Sequence, residues 1–272
     1  MTLKDLRIGM VQMQCAVGDT SSNIATMESF LQQAVSNSVD IVCFPELSIS
    51  GYNPGDLYNP EPEPIPSKIT TRLERLSSDY NIWFLSGILE RGDDGVVYNT
   101  QVVCSPNGIA GIYRKTHVPS SEICTWSQGD ILPVFDHPKV KFAIEICYDS
   151  HFPELTAMFS DRGAEVIFMP HASGSIETAS EKKKRWLKYI PARAYDNTLF
   201  VAICNQVGDN ANGVKFSGVT FVCDPKGDVI ADAKYSNRQE MVIADLNARA
   251  LEDARRVPEW FFRHFKRSNL GD

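Results

Sequence analysis

Three separate stretches of the chain each place one reactive side chain at the end of an apolar run that is typical of a β-strand. Glu46 follows VCFP, Lys115 follows GIYR and Cys147 follows VKFAIEI. A desolvated carboxylate can take the proton of a thiol. A neighbouring ammonium lowers the pKa of that thiol and donates to a developing oxyanion. Together the three residue types indicate a cysteine nucleophile with its own base and its own oxyanion donor.

Each of these residues alone has an ordinary structural explanation. A single cysteine is usually a small buried core residue. A glutamate just past a strand is usually a solvated loop residue or a helix cap, and basic residues at a strand end usually lie at the surface. The chemical interpretation therefore depends on all three stretches occurring in one chain.

The surroundings of Cys147 favour that interpretation. The apolar run 140–146 stops at the cysteine, and Asp149, His151 and the pair Pro153-Glu154 follow before a helical pattern begins. A sharp turn between a strand and a helix exposes the sulfur and points the next backbone N–H groups at the same spot. We expect Asp149 to be a structural residue of this turn.

The rest of the chain alternates between strand-like and helix-like patterns, which indicates an α/β protein. Predicted helices span 21–36, 67–80, 153–162 and 177–195. Predicted strands span 7–14, 39–44, 82–89, 96–104, 109–114, 140–146, 166–169, 199–205, 215–223, 229–231 and 240–245. No Gly/Ser-rich or Pro-rich linker divides the chain, so we expect one domain over residues 1–272.

Composition limits the classes of partner. A net charge of −7 argues against nucleic acid or an acidic membrane surface. Seven cysteines without a CxxC pair are typical of a reducing compartment. No apolar run approaches the length of a membrane helix, and we expect a cytoplasmic protein. The histidines lack HxH or HxxxH spacing, so no metal site is predicted.

The three stretches also carry a family resemblance. Glu46 in FPELSISGY, Lys115 in YRKTHVP and Cys147 in ICYDSHFPE resemble the Glu–Lys–Cys signature of the nitrilase superfamily of carbon–nitrogen hydrolases. The stretches RIGMVQMQ, GDTSSNI, MPHAS, PARAYDN and FSGVTFVCDPKGDVIA fall in the order that the family shows. The resemblance covers nearly the whole chain and points to an amidase-like or N-carbamoyl amidase-like branch.

The resemblance implies a four-layer α-β-β-α sandwich that needs no cofactor or metal. It also implies a homodimer or a higher homo-oligomer, with the tail 255–272 packed across the interface. Four aromatic residues of that tail, Trp260, Phe261, Phe262 and Phe265, are costly to leave in water, which agrees with such packing.

It further implies a mechanism. Cys147 attacks an amide carbonyl, Glu46 transfers the proton, and Lys115 with the backbone N–H of Tyr148 stabilises the oxyanion. Water then cleaves the thioester. Glu122 matches the second glutamate of the family, although Gln128 stands where amidase-like members carry a proline.

The substrate remains open at this level, and amide hydrolysis is favoured over nitrile or N-carbamoyl hydrolysis. Tyr148-Asp149 replaces the Trp-Glu pair that nitrilases carry after the cysteine, and no paired arginines follow it. Candidate substrate contacts in loops near the motifs are Tyr52, Trp126, His151, His171 and Ser173.

Two other interpretations concern charged residues outside the triad. Arg193 and Asp196 are expected to form a buried pair, and the run 181–185 to be the solvated face of a helix. Two rival functions also remain. One is a non-catalytic homo-oligomeric binding protein, and the other is a thiol redox enzyme in which Cys124 resolves Cys147.

Overall fold

A computed structural model describes residues 3–56, 60–93, 95–174, 177–235 and 237–257. It contains fourteen strands in the described residues: β1 (Leu6–Gln12), β2 (Ile41–Cys43), β3 (Trp83–Arg91), β4 (Val97–Ser105), β5 (Gly108–Arg114), β6 (Phe135–His137), β7 (Val140–Ile144), β8 (Val166–His171), β9 (Phe200–Asn205), β10 (Val207–Asp209), β11 (Lys215–Ser217), β12 (Phe221–Cys223), β13 (Val229–Asp232) and β14 (Glu240–Leu246). Six helices accompany them: α1 (Thr20–Ser36), α2 (Lys68–Tyr80), α3 (Pro153–Asp161), α4 (Ala179–Trp186), α5 (Ile190–Asn197) and α6 (Ala248–Arg256).

Two six-stranded sheets share one plan. The first has the order β14-β1-β2-β3-β4-β5, and the second has the order β13-β12-β9-β8-β7-β6. In each sheet three central strands run parallel and the flanking strands are antiparallel. The antiparallel pairing of β1 with β14 joins the two ends of the described chain.

The sheets face each other across a common core, and helices cover their outer faces. The core between the sheets includes Met10 and Cys43 from the first sheet and Ala143 and Phe168 from the second. A separate apolar cluster joins the outer face of the first sheet to α1 and α2. Helices α3 and α5 pack on the other side, where α5 contacts β9. This arrangement is the predicted α-β-β-α sandwich.

Two predicted elements were wrong because a local backbone feature divides them. The long helix over 177–195 is two helices, α4 and α5, since Pro191 lies in the first turn of α5 and cannot continue a helix from before it. The strand over 215–223 is β11 and β12, which belong to different sheets. Gly218 and Val219 between them have φ of 72° and 81°, a left-handed conformation that ends an extended strand.

The tail prediction falls mostly on residues 258–272, which lie outside the described residues. Within the described part of the chain, α6 extends over Ala248–Arg256, and the sequence patterns had not indicated this helix. None of the described helices is long and apolar enough to cross a membrane.

Candidate active site

A cavity of about 520 Å³ lies where loops from both sheets meet. Its walls include Tyr52 from the loop after β2, Glu122 from the loop after β5 and Cys147 from the turn after β7. Ala172 and Ser173 follow β8 and line it too. Each of these loops continues from the end of a strand, so the sandwich holds their side chains in fixed relative positions.

Cys147 is the first residue of a 3-10 turn over Cys147–His151 that connects β7 to α3. Its φ of 49° is left-handed, a costly conformation for a non-glycine residue that often marks a functional site. Burial raises the pKa of the Cys147 thiol well above its ordinary value, Glu46 and Glu122 raise it further, and Lys115 opposes them. The resting group is therefore a thiol, which needs a base before it can attack.

The Lys115 ammonium lies between the two predicted carboxylates. Its Nζ is 2.8 Å from Glu46 Oε1 and 2.7 Å from Glu122 Oε2, and all three residues are buried. Burial by itself would lower the pKa of Lys115, but the charges of Glu46, Cys147 and Glu122 raise it above the ordinary value. The lysine therefore keeps its positive charge beside the thiol.

Glu46 is fixed by hydrogen bonds to both carboxylate oxygens. Oε1 also accepts from Asn99 Nδ2 at 2.7 Å, and Oε2 accepts from the backbone N–H of Ala172 at 2.6 Å. The Glu46 carbonyl oxygen accepts from Gln206 Nε2 at 2.8 Å. The carboxylate is thus held by β4 of the first sheet and by the residue after β8 of the second sheet, which leaves it a single orientation.

The backbone after Glu46 approaches β3 very closely. Leu47 has a left-handed φ of 49°, and a Cβ added at Gly87 would lie 2.1 Å from the Leu47 nitrogen. Only glycine leaves room at position 87 for the loop that carries the glutamate.

Glu122 is held on the opposite side of the ammonium. Its Oε1 accepts from the Tyr52 hydroxyl at 2.7 Å, while Oε2 accepts from Lys115. Burial raises the pKa of Glu122, and Lys115 counteracts that rise. The structure thus brings Glu46, Lys115, Glu122 and Cys147 into one polar cluster, although they come from three separate loops.

Residues 7–256 match the protein-family model described as carbon-nitrogen hydrolase. The chain belongs to this family. The membership confirms the predicted superfamily and reaction type, carbon–nitrogen hydrolysis, and the two-sheet architecture agrees with it.

Known relatives extend this family picture. The chain is 30% identical to the omega-amidase NIT2 of Homo sapiens, over 98% of this chain and 97% of the relative. The crystal structure of Saccharomyces cerevisiae Nit3, a member of branch 10 of the nitrilase superfamily, matches with a TM-score of 0.83 and 25% identity, covering 94% of this chain and 96% of that one. A variant of the amidase from Nesterenkonia sp. AN1, with the acetamide moiety of fluoroacetamide covalently added at its active site cysteine, matches with a TM-score of 0.77 and 20% identity, covering 96% and 97%.

Asp149 organises the turn of this hydrolase that carries the cysteine. Its Oδ2 accepts from the Tyr113 hydroxyl at 2.8 Å and from the Ile146 N–H at 2.9 Å. Its Oδ1 accepts from the Thr116 hydroxyl at 2.9 Å and from the His117 N–H at 2.8 Å. One buried carboxylate therefore ties the cysteine turn to the loop that follows Lys115.

The predicted Arg193–Asp196 pair is wrong. Arg193 donates to the carbonyl oxygens of Ser150 at 3.2 Å and His151 at 3.3 Å, and Asp196 is exposed. Because α5 runs beneath the cysteine turn, the guanidinium meets main-chain carbonyls there. Arg193 therefore ties the cysteine turn to α5.

The predicted substrate contacts occupy different positions. Tyr52 and Ser173 line the cavity, whereas Trp126 is buried behind Tyr52, with ring centroids 5.6 Å apart. His171 is also buried. Its Nδ1 lies 2.9 Å from the Met169 carbonyl oxygen, and burial lowers its pKa to about 3.

His151 lies on the exposed side of the cysteine turn. Its ring stacks on that of Tyr189 with 4.7 Å between centroids. Burial, together with the charges of Arg185 and Arg193, lowers the pKa of His151, so this ring is neutral at physiological pH.

The interpretation of 181–185 as a solvated face is wrong for Lys182. This lysine is fully buried, and its Nζ donates to the Ser173 and Gly174 carbonyl oxygens and, at 3.2 Å, to Ser173 Oγ. Arg185, in the last turn of α4, lines the cavity. The charge pattern of 181–185 does not show which of its side chains are buried, because α4, with 8 residues, is too short to show a clear amphipathic pattern.

The described residues include no group of three or more His, Cys, Asp or Glu side chains arranged to hold a metal ion. All seven cysteines are free, and Cys124 is exposed.

Proposed function

We propose that this hydrolase cleaves the carbon–nitrogen bond of a small linear amide, giving a carboxylic acid and ammonia through a thioester on Cys147. The observation that carries the proposal is the buried Lys115 ammonium, which lies between Glu46 and Glu122, while Glu122 and the Cys147 thiol line the same cavity. The similarity to an omega-amidase and the likeness in fold to an amidase agree with it.

In the first step Glu46 accepts the proton of the Cys147 thiol as the sulfur attacks the amide carbonyl carbon. The carbonyl π electrons move to oxygen and form a tetrahedral oxyanion. Lys115 and the backbone N–H of Tyr148 donate to this oxyanion. Each such donor typically lowers the barrier by about 3 kcal/mol.

Collapse of the tetrahedral species breaks the carbon–nitrogen bond. Glu46 returns its proton to the leaving nitrogen, and ammonia departs. Glu46 then removes a proton from water, which attacks the thioester, and the sulfur leaves as the acid forms. The proton held by Glu46 restores the thiol, so the cycle closes without a cofactor.

Glu122 and Tyr52 have a supporting role in this scheme. Because Glu122 accepts from both Tyr52 and Lys115, it holds the ammonium in position for the oxyanion. Tyr52 and Ser173 line the cavity and are proposed substrate contacts, and His151, on the exposed side of the cysteine turn, is a third. Trp126 and His171 are buried behind the cavity walls and support them.

The proposal includes an organisation for the whole protein: one cytoplasmic domain over residues 1–272 that forms a homo-oligomer, with the tail 255–272 across the interface. The core shared by both sheets and the free cysteines support it. Light scattering of the full chain and of a chain ending at residue 257 tests the interface. An unchanged mass after truncation would contradict the role of the tail.

The catalytic proposal is tested by ammonia release from primary amides, ω-amides, N-carbamoyl compounds and nitriles. We expect release from amides by the wild type and none above background with Cys147→Ala, at unchanged circular dichroism. Cys124→Ala is the matched control, because that cysteine is exposed and free, and it should retain full activity.

Hydroxylamine added during turnover should divert the acyl group to a hydroxamate, since a thioester intermediate can be captured by a stronger nucleophile. Residual Cys147→Ala activity above a tenth of wild type would exclude the nucleophile assignment. Release from nitriles or N-carbamoyl compounds alone would assign a different substrate class and leave the assignment of the triad unchanged. No release from any class by a folded wild type would favour the binding-protein alternative.

A further inference from the structure

His117 carries an ionisable side chain that the proposed mechanism does not use. It follows Lys115 by two residues in the loop after β5, and it is half-buried. Its Nδ1 lies 3.0 Å from Asp149 Oδ1, the carboxylate oxygen that also accepts from the His117 backbone N–H at 2.8 Å. The face of the ring stacks on Phe152, with 3.7 Å between the ring centroids. His117 therefore contacts the cysteine turn both inside it, at Asp149, and at the residue that ends it.

The hydrogen bonds around Asp149 determine which ring nitrogen carries the proton. Asp149 Oδ1 accepts the single hydroxyl hydrogen of Thr116 at 2.9 Å. Thr116 Oγ1 also lies 3.0 Å from His117 Nδ1, but its hydrogen is then not available to that nitrogen. An unprotonated Nδ1 would direct its lone pair at a carboxylate oxygen 3.0 Å away, which is repulsive. Nδ1 therefore holds a proton and donates to Asp149, and Nε2 is the acceptor of the neutral ring.

This Nδ1–H group joins the two segments whose donors meet at the oxyanion. Lys115 is fixed in the loop after β5, where its backbone N–H donates to the Asn99 carbonyl oxygen at 2.9 Å. Cys147 belongs to the turn that Asp149 holds. The ring of His117 connects them, since its backbone continues from Lys115 and its edge donates to Asp149. A small shift of the thiol relative to the ammonium is costly, because both act on one reacting centre.

We propose that His117 is a positioning residue, whose Nδ1–H group holds the cysteine turn at the separation from Lys115 that attack by the thiol requires. Its effect on turnover rests on the proposed amide hydrolysis, whereas its effect on the reactivity of the thiol does not. His117 acts through Asp149 and the turn, and it does not contact the reacting atoms in this scheme.

Two substitutions of His117 separate the roles of its ring nitrogens. The side-chain nitrogen of asparagine takes the place of Nδ1, whereas that of glutamine reaches the place of Nε2. His117→Gln should lower kcat roughly 10- to 100-fold at unchanged KM, the usual effect of losing a hydrogen bond to a charged group. His117→Asn should recover most of this loss. Equal kcat values for the two variants would overturn the proposal.

The matched controls are His137→Asn and His137→Gln. His137 lies on β6, a strand at the edge of the second sheet, and its ring contacts Trp83 at the start of β3. Neither substitution should change kcat or KM, because this histidine has no contact with the cysteine turn or with the loop after β5.

Nitrogen-15 NMR of protein labelled at histidine reads the tautomer directly. At neutral pH His117 should show a protonated Nδ1. His171, whose Nδ1 lies 2.9 Å from a carbonyl oxygen, should show the same signature. His137 should show the opposite one, because its Nδ1 accepts from the Lys139 N–H at 3.2 Å. The His117 signal is assigned by its loss in His117→Asn. An unprotonated Nδ1 at His117 would overturn the proposal.

Alkylation of Cys147 by iodoacetamide gives a readout that needs no turnover. The sulfur displaces iodide while Glu46 accepts the thiol proton, so the rate depends on how the turn is placed. In a Cys124→Ala background, which removes the exposed thiol, His117→Gln should slow the reaction and His117→Asn should restore it. Equal alkylation rates at a lowered melting temperature would show a purely structural role and overturn the proposal. If alkylation follows the expected order but no amide releases ammonia, the proposed function fails and the role of His117 stands.

Discussion

The charge network at the inner end of the cavity, formed by Glu46, Lys115 and Glu122, and the ion pair at its outer end, formed by Arg185 and Glu177, differ in how completely their polar atoms are paired. At the inner end every carboxylate oxygen of Glu46 and Glu122 has a donor, and the charged groups are fully buried. At the outer end Arg185 and Glu177 are partly exposed and only partly paired. A buried network in which every donor and acceptor is paired fixes atoms for chemistry. A solvent-exposed network that is only partly paired leaves donors that a ligand can use.

Lys182 lies behind the part of the cavity wall formed by Ser173 and Gly174. It is buried like Glu46, Lys115 and Glu122, but its Nζ donates to the Ser173 hydroxyl and to the carbonyl oxygens of Ser173 and Gly174. Since Ala172, the residue before Ser173, donates to Glu46, this lysine couples the outer wall to the inner network.

The largest expected effect comes from removing the charge at the centre of the inner end. Lys115→Met should lower kcat/KM by roughly 10²- to 10³-fold or more, because an oxyanion donor is lost. It also leaves two buried carboxylates without a counter-charge, so urea unfolding should show a loss of about 3–5 kcal/mol. Lys141→Met, which breaks a partly exposed pair with Asp136, should change both values little.

The stability loss in Lys115→Met should be smaller at pH 5 than at pH 8, because protonation of the freed carboxylates removes their charge. A variant that kept wild-type activity would show that the inner network is structural only.

Lys182→Met should have the next largest effect on activity. Without its hydrogen bonds the wall at Ser173 and Gly174 is free to move, and we expect kcat/KM to fall roughly 10- to 100-fold. Burial lowers the pKa of Lys182 to about 8, so wild-type activity should fall as pH rises through 8. The variant should lack this alkaline limb, and Lys184→Met, at an exposed position of the same helix, should keep it.

Stability should respond to Lys182→Met in the opposite direction. A lysine with a folded pKa of about 8 and an unfolded pKa near 10.5 binds fewer protons when folded, so its charge at pH 7 costs about 3 kcal/mol. Wild-type stability should therefore rise between pH 8 and pH 10.5. The variant should be no less stable at pH 7, and a loss above about 1 kcal/mol would contradict this account.

Tyr52→Phe should have a moderate effect. It removes the 2.7 Å hydrogen bond to Glu122 Oε1 and leaves that buried oxygen without its donor. The expected loss in kcat is roughly 5- to 15-fold, corresponding to about 1–1.5 kcal/mol. Tyr235→Phe, at an exposed tyrosine, serves as the control. A change confined to KM would place Tyr52 in substrate binding alone.

The smallest effect on activity is expected at a buried acid outside the cavity. Glu145 accepts from the Thr156 hydroxyl at 2.6 Å, and burial raises its pKa to about 8. The folded state therefore binds a proton that the unfolded state releases above about pH 4.5, and wild-type stability should fall as pH rises from 4.5 to 8.

Glu145→Gln should flatten that dependence and raise the free energy of unfolding at pH 7 by up to about 3 kcal/mol, with kcat/KM within twofold of wild type. Glu154→Gln, an exposed neighbour, should change neither quantity. A large loss of activity in Glu145→Gln would show that burial near the cysteine is itself part of the chemistry.

The sequence by itself determined the family, the sandwich and the stretches that carry Glu46, Lys115 and Cys147. Each stretch combines a strand-like apolar run with one polar residue at its end. Such local patterns can be identified in a sequence without any knowledge of contacts. Most strand and helix predictions succeeded for the same reason. The exceptions are α6 and the short strands β6 and β10, which were not predicted, and the elements that Pro191 and the left-handed residues at 218–219 interrupt.

Only the tertiary structure decided which charges are buried and what they meet. Lys182 and Lys184 belong to one basic run, yet the first lies under the wall at Ser173 and the second in solvent. Arg193 meets the carbonyls of the cysteine turn, and Arg185 reaches the cavity, because of how α4 and α5 pack on the second sheet. The free energy of a charge depends on its surroundings, and those surroundings come from residues far away in the chain.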